Sequence, residues 1–150
     1  MRRVLVLAFG NPLRGDDGVG WHAAQALAPE FDGDDVRIQY CEQLTPDLAE
    51  PVSRSSRVIF IDASAAEEPG RVTCLPLVSS ADSPGSFSHE ITPSALLAFA
   101  NALYGKRPKA CLVSLGAESF EFGHGLSASV AKSLPALLAC VREQIALAED

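Results

Sequence analysis

Two adjacent carboxylates stand where the first apolar run of this chain gives way to a helical pattern. Residues 4–20 read VLVLAFGNPLRGDDGVG, a strand-like run followed by a tight turn and then by Asp16 and Asp17. Open α/β sheets bind ligands at the carboxyl ends of their strands, so we expect these acids at a ligand site. A phosphate cradle uses backbone N–H groups and a lysine, and two carboxylates would repel an anion. The pair therefore indicates a cation, a water molecule to be activated, or both.

Two further residues with the chemistry of metal ligands follow later in the chain. Asp62 ends the apolar run RVIFID, and His89 lies in SFSHEITP, just before Thr92. Parallel strands share one carboxyl edge, so both residues are expected to converge with one acid of the first pair. Two carboxylates and an imidazole with open positions suit a divalent transition metal such as zinc, nickel or iron. The plainer interpretations are a helix cap, a turn residue and a solvated loop histidine.

Other arrangements of reactive residues are weaker. Ser86, Ser88 and His89 suggest a serine hydrolase, but the chain contains no GxSxG elbow. His22 follows a tryptophan in the first helical pattern, where packing or exposure is expected rather than ligation. His124 lies between two glycines and is the reserve metal ligand.

Two aromatic residues occupy the irregular segment before the last helical pattern. Phe120 and Phe122 belong to SFEFG and are interpreted as pins that hold this loop to the core. If they are exposed instead, they predict a surface for docking another protein.

Composition restricts the class of protein. The 150 residues carry a net charge of −7, which excludes a general nucleic-acid binder and fits one domain, residues 1–150. No signal peptide and no membrane span are recognised, so a cytoplasmic protein is expected. The four cysteines are far apart and form no CxxC pair, which predicts reduced, mostly buried thiols.

The elements that must position these residues alternate between strands and helices. Strands are predicted at residues 3–9, 36–40, 57–62, 72–78 and 110–115, with Pro76 placing the fourth at an edge. Helices are predicted at 18–27, capped by Asp16 or Asp17, at 45–53 and 92–104, each opened by Thr-Pro, and at 127–148. This alternation predicts an α/β, three-layer sandwich with a parallel or mostly parallel sheet.

Five segments, taken in order, resemble the hydrogenase maturation proteases. They are GNPLRGDDGVG, QLTPDLAE, VIFIDA, SHEITP and SFEFGHGLS, which together span nearly the whole chain. Members of that family are endopeptidases that trim the C-terminus of the large subunit of nickel-iron hydrogenases. QLTPDLAE is most similar to the branch that serves soluble, NAD-linked hydrogenases. The resemblance implies a twisted, mostly parallel sheet of about five strands between helices.

The same resemblance implies which residues form the active site. Its metal-interacting and catalytic triad maps to Asp17, Asp62 and His89, while Asp16 takes a capping or positioning role. Nickel arrives inside the substrate, the precursor of the large subunit, and no organic cofactor is expected. Other branches carry an important aspartate in a DGGT-like segment, which here reads YCEQLTPD. Glu42 stands where close relatives often have a histidine, and no catalytic role is assigned to it.

Two alternatives remain beside the protease. One is a non-enzymatic checkpoint that binds nickel or the hydrogenase on the same fold. The other is an α/β module for a small molecule or nucleotide, against which the acid pair argues. Under the metal hypothesis, the Asp17 and Asp62 carboxylates are expected within about 8 Å of each other, since ligand bonds are roughly 2 Å long.

Overall fold

One five-stranded sheet forms the centre of the molecule. The computed structural model describes residues 3–31, 33, 35–78, 91–123 and 125–149. The strands, in chain order, are β1 Val4–Phe9, β2 Val36–Cys41, β3 Arg57–Ser64, β4 Val72–Leu77 and β5 Lys109–Gly116. Their spatial order is β2-β1-β3-β5-β4, with every pairing parallel except β4 against β5. The prediction of a mostly parallel sheet of about five strands is confirmed.

Helices cover both faces of this sheet. They are α1 Val19–Leu27, α2 Ala49–Ser53, α3 Pro93–Tyr104 and α4 Ala128–Ala146. Apolar side chains of α1 and α4 join one core cluster with one face of the sheet, and those of α2 and α3 join a second cluster with the other face. Residues 4–8 and 58–61 are no more than 2% exposed, because β1 and β3 are interior strands covered on both sides. The three-layer α/β fold is therefore confirmed.

The strand that carries Asp62 extends further than the sequence predicts. Its apolar run ends at Asp62, but β3 continues to Ser64. Pairing with β5 persists to Ser64 opposite Gly116, so backbone hydrogen bonding prolongs the strand beyond its apolar side chains. Asp62 is therefore a paired residue within β3, two positions before the end of the strand.

One predicted helix cap is wrong, and a second lacks its side-chain hydrogen bond. Gly18 occupies the N-cap of α1, and no side chain caps that helix, because Asp16 and Asp17 are held within a preceding 3₁₀ turn, Gly15–Gly18. Thr45 occupies the predicted N-cap position with Pro46 directly after it, but its side chain makes no cap hydrogen bond, and the segment begins as a 3₁₀ turn before α2. The Thr92 side chain does cap α3, accepting from the Ala95 N–H at 3.1 Å.

The four cysteines are free, as expected, but they are less buried than predicted. Only Cys111, on the interior strand β5, is buried, and the other three are partly exposed. Cys41 and Cys74 lie on the edge strands β2 and β4, where one side of the strand has no neighbouring strand among the described residues. No helix in the described part of the chain is both long and apolar enough to cross a bilayer.

Candidate functional site

The turn after β1 is closed by its own hydrogen bonds and presents Asp17. The Asn11 N–H donates to Asp17 Oδ2 at 2.7 Å, and the Asp17 N–H donates to the Arg14 carbonyl at 3.1 Å. From the neighbouring strand, the Tyr40 hydroxyl donates to the Gly10 carbonyl. Asp17 is half-buried, so its carboxylate is fixed by the turn and still reaches solvent.

Gly10 allows the turn to fold back this closely. Its φ is +138°, and a Cβ atom placed there would lie 2.1 Å from the carbonyl oxygen of Asp17. Only glycine combines that backbone conformation with such an approach. The position of Asp17 therefore depends on a residue without a side chain, seven positions earlier in the chain.

Asp16 was expected to cap a helix or position the site, and the structure gives it partners that the sequence did not predict. Its side chain is fully buried and accepts four hydrogen bonds from the segment between β5 and α4. The donors are the Glu118 N–H at 2.8 Å, the Ser119 N–H at 3.1 Å, and the Ser127 N–H and hydroxyl at 2.7 and 2.8 Å. Because Ser127 is the N-cap of α4, Asp16 ties the turn after β1 to the start of the last helix.

These bonds keep the buried carboxylate ionised. Burial alone raises the pKa of Asp16, but the hydrogen bonds from Ser127, Glu118 and Ser119 lower it by more in sum. The pKa therefore lies below the ordinary value for aspartate, as expected for a carboxylate surrounded by donors. Asp16 positions the loops beside the site and is not itself open to a ligand.

A cleft of about 460 Å³ opens beside Asp17. Its lining residues come from the turn after β1, the end of β2 and the segment before α4: Asn11, Arg14, Asp17, Glu42, Gln43 and Phe120. Two carboxylates and one guanidinium thus face the same space. Burial first, and then the charges of Glu42, Cys41 and Asp17, raise the pKa of Tyr40, which lies at this acidic end of β2.

Glu42 is the residue that sequence reasoning undervalued. It follows Cys41, the last residue of β2, and β2 pairs in parallel with β1. The rule that brings together the carboxyl ends of parallel strands therefore applies to Glu42 as well as to Asp17. That signal was present in the sequence, but using it required knowing that β2 lies next to β1.

Asp62 lies at the same edge of the sheet as Asp17. It is half-buried, pairs in register with Ser114, and comes one residue after Ile61, the partner of Ala8 near the end of β1. The 3₁₀ turn that holds Asp17 contacts β3 directly. The shared edge agrees with the sequence analysis, and the metal-bridging separation of the two carboxylates stays a prediction.

The predicted third ligand lies outside the described residues. This applies to His89, to the neighbouring Ser86 and Ser88, and to the reserve ligand His124. Within the described ranges, no three side chains of histidine, cysteine, aspartate or glutamate are grouped so that they could hold a metal ion. The triad of Asp17, Asp62 and His89 therefore stays a prediction.

The structure also tests the predictions made for His22, Phe120 and Phe122. His22 packs edge-on against Trp21, with ring centroids 5.1 Å apart, in agreement with a packing role. Phe120 packs partly buried against the core cluster of α1 and α4, as a loop pin would. Phe122 is 80% exposed, so the docking interpretation applies to this residue alone.

The cleft combines two carboxylates, one guanidinium and an open shape. Carboxylates at the end of the sheet supply hard oxygen ligands or a general base, and a guanidinium supplies donors for carbonyl or carboxylate groups. The cleft is open and polar, which suits an extended chain better than an enclosed small molecule.

The solved structures to which this chain is similar include several hydrogenase maturation proteases. The hydrogenase maturating endopeptidase HybD from E. coli is 28% identical, with a TM-score of 0.74 over 95% of this chain and 93% of that chain. A hydrogenase 2 maturation peptidase from a Thaumarchaeota archaeon is 26% identical, with a TM-score of 0.69 over 96% and 98%. The NiFe hydrogenase maturation protease HybD from Thermococcus kodakarensis, 24% identical with a TM-score of 0.72 over 95% and 99%, supports the fold alone. No protein-family model and no curated protein sequence matches the chain.

Proposed function

We propose that this chain, which belongs to the hydrogenase maturation proteases, is the endopeptidase that removes the C-terminal extension of a nickel-iron hydrogenase large subunit after nickel insertion. The observation that carries the proposal is the match to HybD from E. coli over 95% of the chain. The family predicted from the sequence is thereby confirmed. The finer assignment to the soluble, NAD-linked branch rests on the QLTPDLAE segment. A cytoplasmic location is a further part of the proposal.

The proposed site uses Asp17, Asp62 and His89 to contact the nickel carried by the precursor. Nickel is thus part of the substrate, and its presence reports that the hydrogenase site has been loaded. Two features support Asp17 in this role: it faces the cleft, and its turn is fixed by hydrogen bonds. Asp17 or Asp62 then serves as ligand or as general base while the scissile carbonyl is polarised by the metal.

Cleavage of the precursor tests the proposal. The purified chain is incubated with the large-subunit precursor encoded in the same genome, with and without nickel, and loss of the tail is followed by mass spectrometry. We expect cleavage of the nickel-loaded form only, and its loss in Asp17→Asn and in Asp62→Asn. Asp47→Asn, which changes an exposed acid before α2, is the matched control. An intact tail after prolonged incubation of the loaded precursor would contradict the proposal.

The same experiment separates the protease from the checkpoint protein. A checkpoint would form a complex with the nickel-loaded precursor, detectable by size-exclusion chromatography, and leave the tail in place. Acid-lined clefts bind cations whether or not cleavage follows, so binding alone does not distinguish the two.

His89→Ala is expected to leave the fold intact and to slow cleavage of the nickel-loaded precursor. Neutral imidazole is a suitable nickel ligand, and the resemblance assigns that role to His89. His22→Ala is the control, because His22 packs against Trp21 on α1. Cleavage time courses are compared after circular dichroism has verified folding. A normal rate in His89→Ala would leave only the carboxylates as site residues.

A further inference from the structure

A small exposed surface adjoins the cleft. Leu13 is 44% exposed and Phe122 is 80% exposed, and Arg14 follows Leu13 in the chain. The guanidinium carbon of Arg14 is 5.5 Å from the centroid of the Phe122 ring. We refer to Leu13, Arg14 and Phe122 as the ledge. Large exposed apolar side chains grouped around a cation indicate a contact surface for another molecule.

The backbone under the ledge is fixed from two directions. The Gly123 N–H donates to the Leu13 carbonyl at 2.9 Å, and the Gly15 N–H donates to the Gly123 carbonyl at 3.1 Å. Beneath them, the buried carboxylate of Asp16 binds the segment that leads to α4. The ledge therefore presents its side chains on a preorganised support, which reduces the entropy lost when a partner binds.

The charge of the ledge indicates what the partner carries. Arg14 forms no ion pair with any carboxylate in the described part of the chain, although the chain has a net charge of −7. The guanidinium lies over the Phe122 ring in a cation–π arrangement, which leaves its N–H donors available. A guanidinium with available donors recognises a carboxylate.

The ledge and the cleft are continuous, because Arg14 belongs to both. It stacks on Phe122 and also lines the cleft that contains Asp17. A polypeptide that crosses the ledge therefore passes directly to the acid proposed to act in cleavage. This continuity selects the polypeptide substrate as the occupant in preference to a second copy of this chain.

We propose that the ledge docks the hydrogenase precursor beside its cleavage site, with an apolar side chain against Phe122 and Leu13 and an adjacent Asp or Glu side chain on Arg14. This inference rests on the proposed function and deepens it, since it identifies the residues that select the substrate segment. Phe122 and Arg14 are thus specificity residues, distinct from the acids of the site.

Steady-state cleavage of the nickel-loaded precursor by ledge variants tests this. We expect Phe122→Ala and Arg14→Gln each to lower kcat/KM about tenfold, chiefly through KM, as for residues central to an interface. Phe122→Leu, which keeps an apolar side chain, should recover part of the loss. Leu103→Ala on α3, where Leu103 is 64% exposed, is the matched control and should leave both constants unchanged.

The acidic partner group is tested by reversing charges. Arg14→Glu should cleave the natural precursor worse than Arg14→Gln does. It should cleave better a precursor whose acidic residues near the cleavage site have been replaced by lysine. If Arg14→Glu shows no preference between the two precursors, a carboxylate on Arg14 is excluded and the proposal is overturned.

The design separates failure of the ledge from failure of the proposed function. Precursor binding is measured by calorimetry in Asp17→Asn, where cleavage is expected to be lost, with and without Phe122→Ala. If the unmutated chain never cleaves, the protease proposal fails, but a tenfold weaker binding in the double variant still supports the ledge. If the unmutated chain cleaves and Phe122→Ala keeps its kcat/KM, the ledge proposal alone is overturned. A concentration-dependent dimer that Phe122→Ala dissociates, with unchanged kcat/KM, would likewise overturn it in favour of self-association.

Discussion

Asp16 and Asp17 are neighbours in sequence and have opposite environments. Asp16 is fully buried and Asp17 faces the cleft. A buried carboxylate would normally be costly, but four donors compensate for its lost hydration. Of the two acids, Asp16 is therefore expected to contribute more to the stability of the fold, and Asp17 is expected to be the one needed for cleavage.

Asp16→Asn is expected to lower the free energy of unfolding by about 3 kcal/mol, because an amide accepts fewer of these bonds and leaves buried donors unpaired. Asp17→Asn, which can still accept from the Asn11 N–H, should change stability by less than about 1 kcal/mol. Urea denaturation of both variants measures the difference. Equal stabilities would show that the buried network contributes little.

The stabilisation from Asp16 should also depend on pH. Its pKa is lower in the folded chain than in the unfolded chain, so the unfolded state binds the proton more tightly. The contribution is then complete above the unfolded pKa of about 4 and is lost as pH falls through the folded value. Urea midpoints of the unmutated chain and Asp16→Asn should therefore converge on acidification below about pH 4. A constant difference between them down to acid pH would contradict this assignment.

Glu42→Gln should lower the pKa of Tyr40. Burial is the largest cause that raises this pKa, and the charge of Glu42 is the next. Removing that charge makes the phenolate less unfavourable, so ionisation begins at lower pH. Titration by NMR separates Tyr40 from Tyr104, and Asp47→Asn serves as the control. An unchanged Tyr40 titration would place Glu42 away from the acidic end of β2.

At the scale of elements, two Thr-Pro motifs behave differently. Thr92-Pro93 opens α3 with a side-chain cap, whereas Thr45-Pro46 opens a 3₁₀ turn without one. The motif sets the backbone for a helix start in both places, but the cap bond needs the N–H of the third helical residue within reach. The geometry of the 3₁₀ turn does not provide that bond at Thr45.

Thr92→Ala should therefore cost about 1 kcal/mol of stability, and Thr45→Ala should cost much less. Both replacements remove one hydroxyl and one methyl group, so the pair isolates the cap hydrogen bond. Thermal and urea unfolding give the two values under identical conditions. Similar losses in both variants would contradict a specific role for the Thr92 cap.

For the whole molecule, amide hydrogen exchange should follow the order of the sheet. We expect the slowest exchange in β1, β3 and β5, which have partners on both sides, and faster exchange in the edge strands β2 and β4. Two-dimensional NMR after transfer to heavy water gives the rates for each strand. Protection in β2 or β4 equal to that in β3 would indicate that an edge is covered in solution.

Much of this architecture could be predicted because it is local. Apolar runs located every strand, and Pro76 placed β4 at an edge, since each signal lies within a few residues of its effect. The hydrogen-bond partners of Asp16 and the position of Glu42 could not be predicted in that way. The first depends on donors at Ser127 and the second on the adjacency of β1 and β2, and both are properties of the folded chain.

The bond between Asp16 and Ser127 also has a consequence for biosynthesis. The two residues are 111 positions apart, so the turn that presents Asp17 lacks its buried support while the ribosome is still making the middle of the chain. Long-range contacts of this kind form late, after most of the chain is available. The strands can pair early, but the cleft is completed only when the start of the last helix has emerged. A nascent chain is therefore expected to be inactive until Ser127 and the helix it caps have been made.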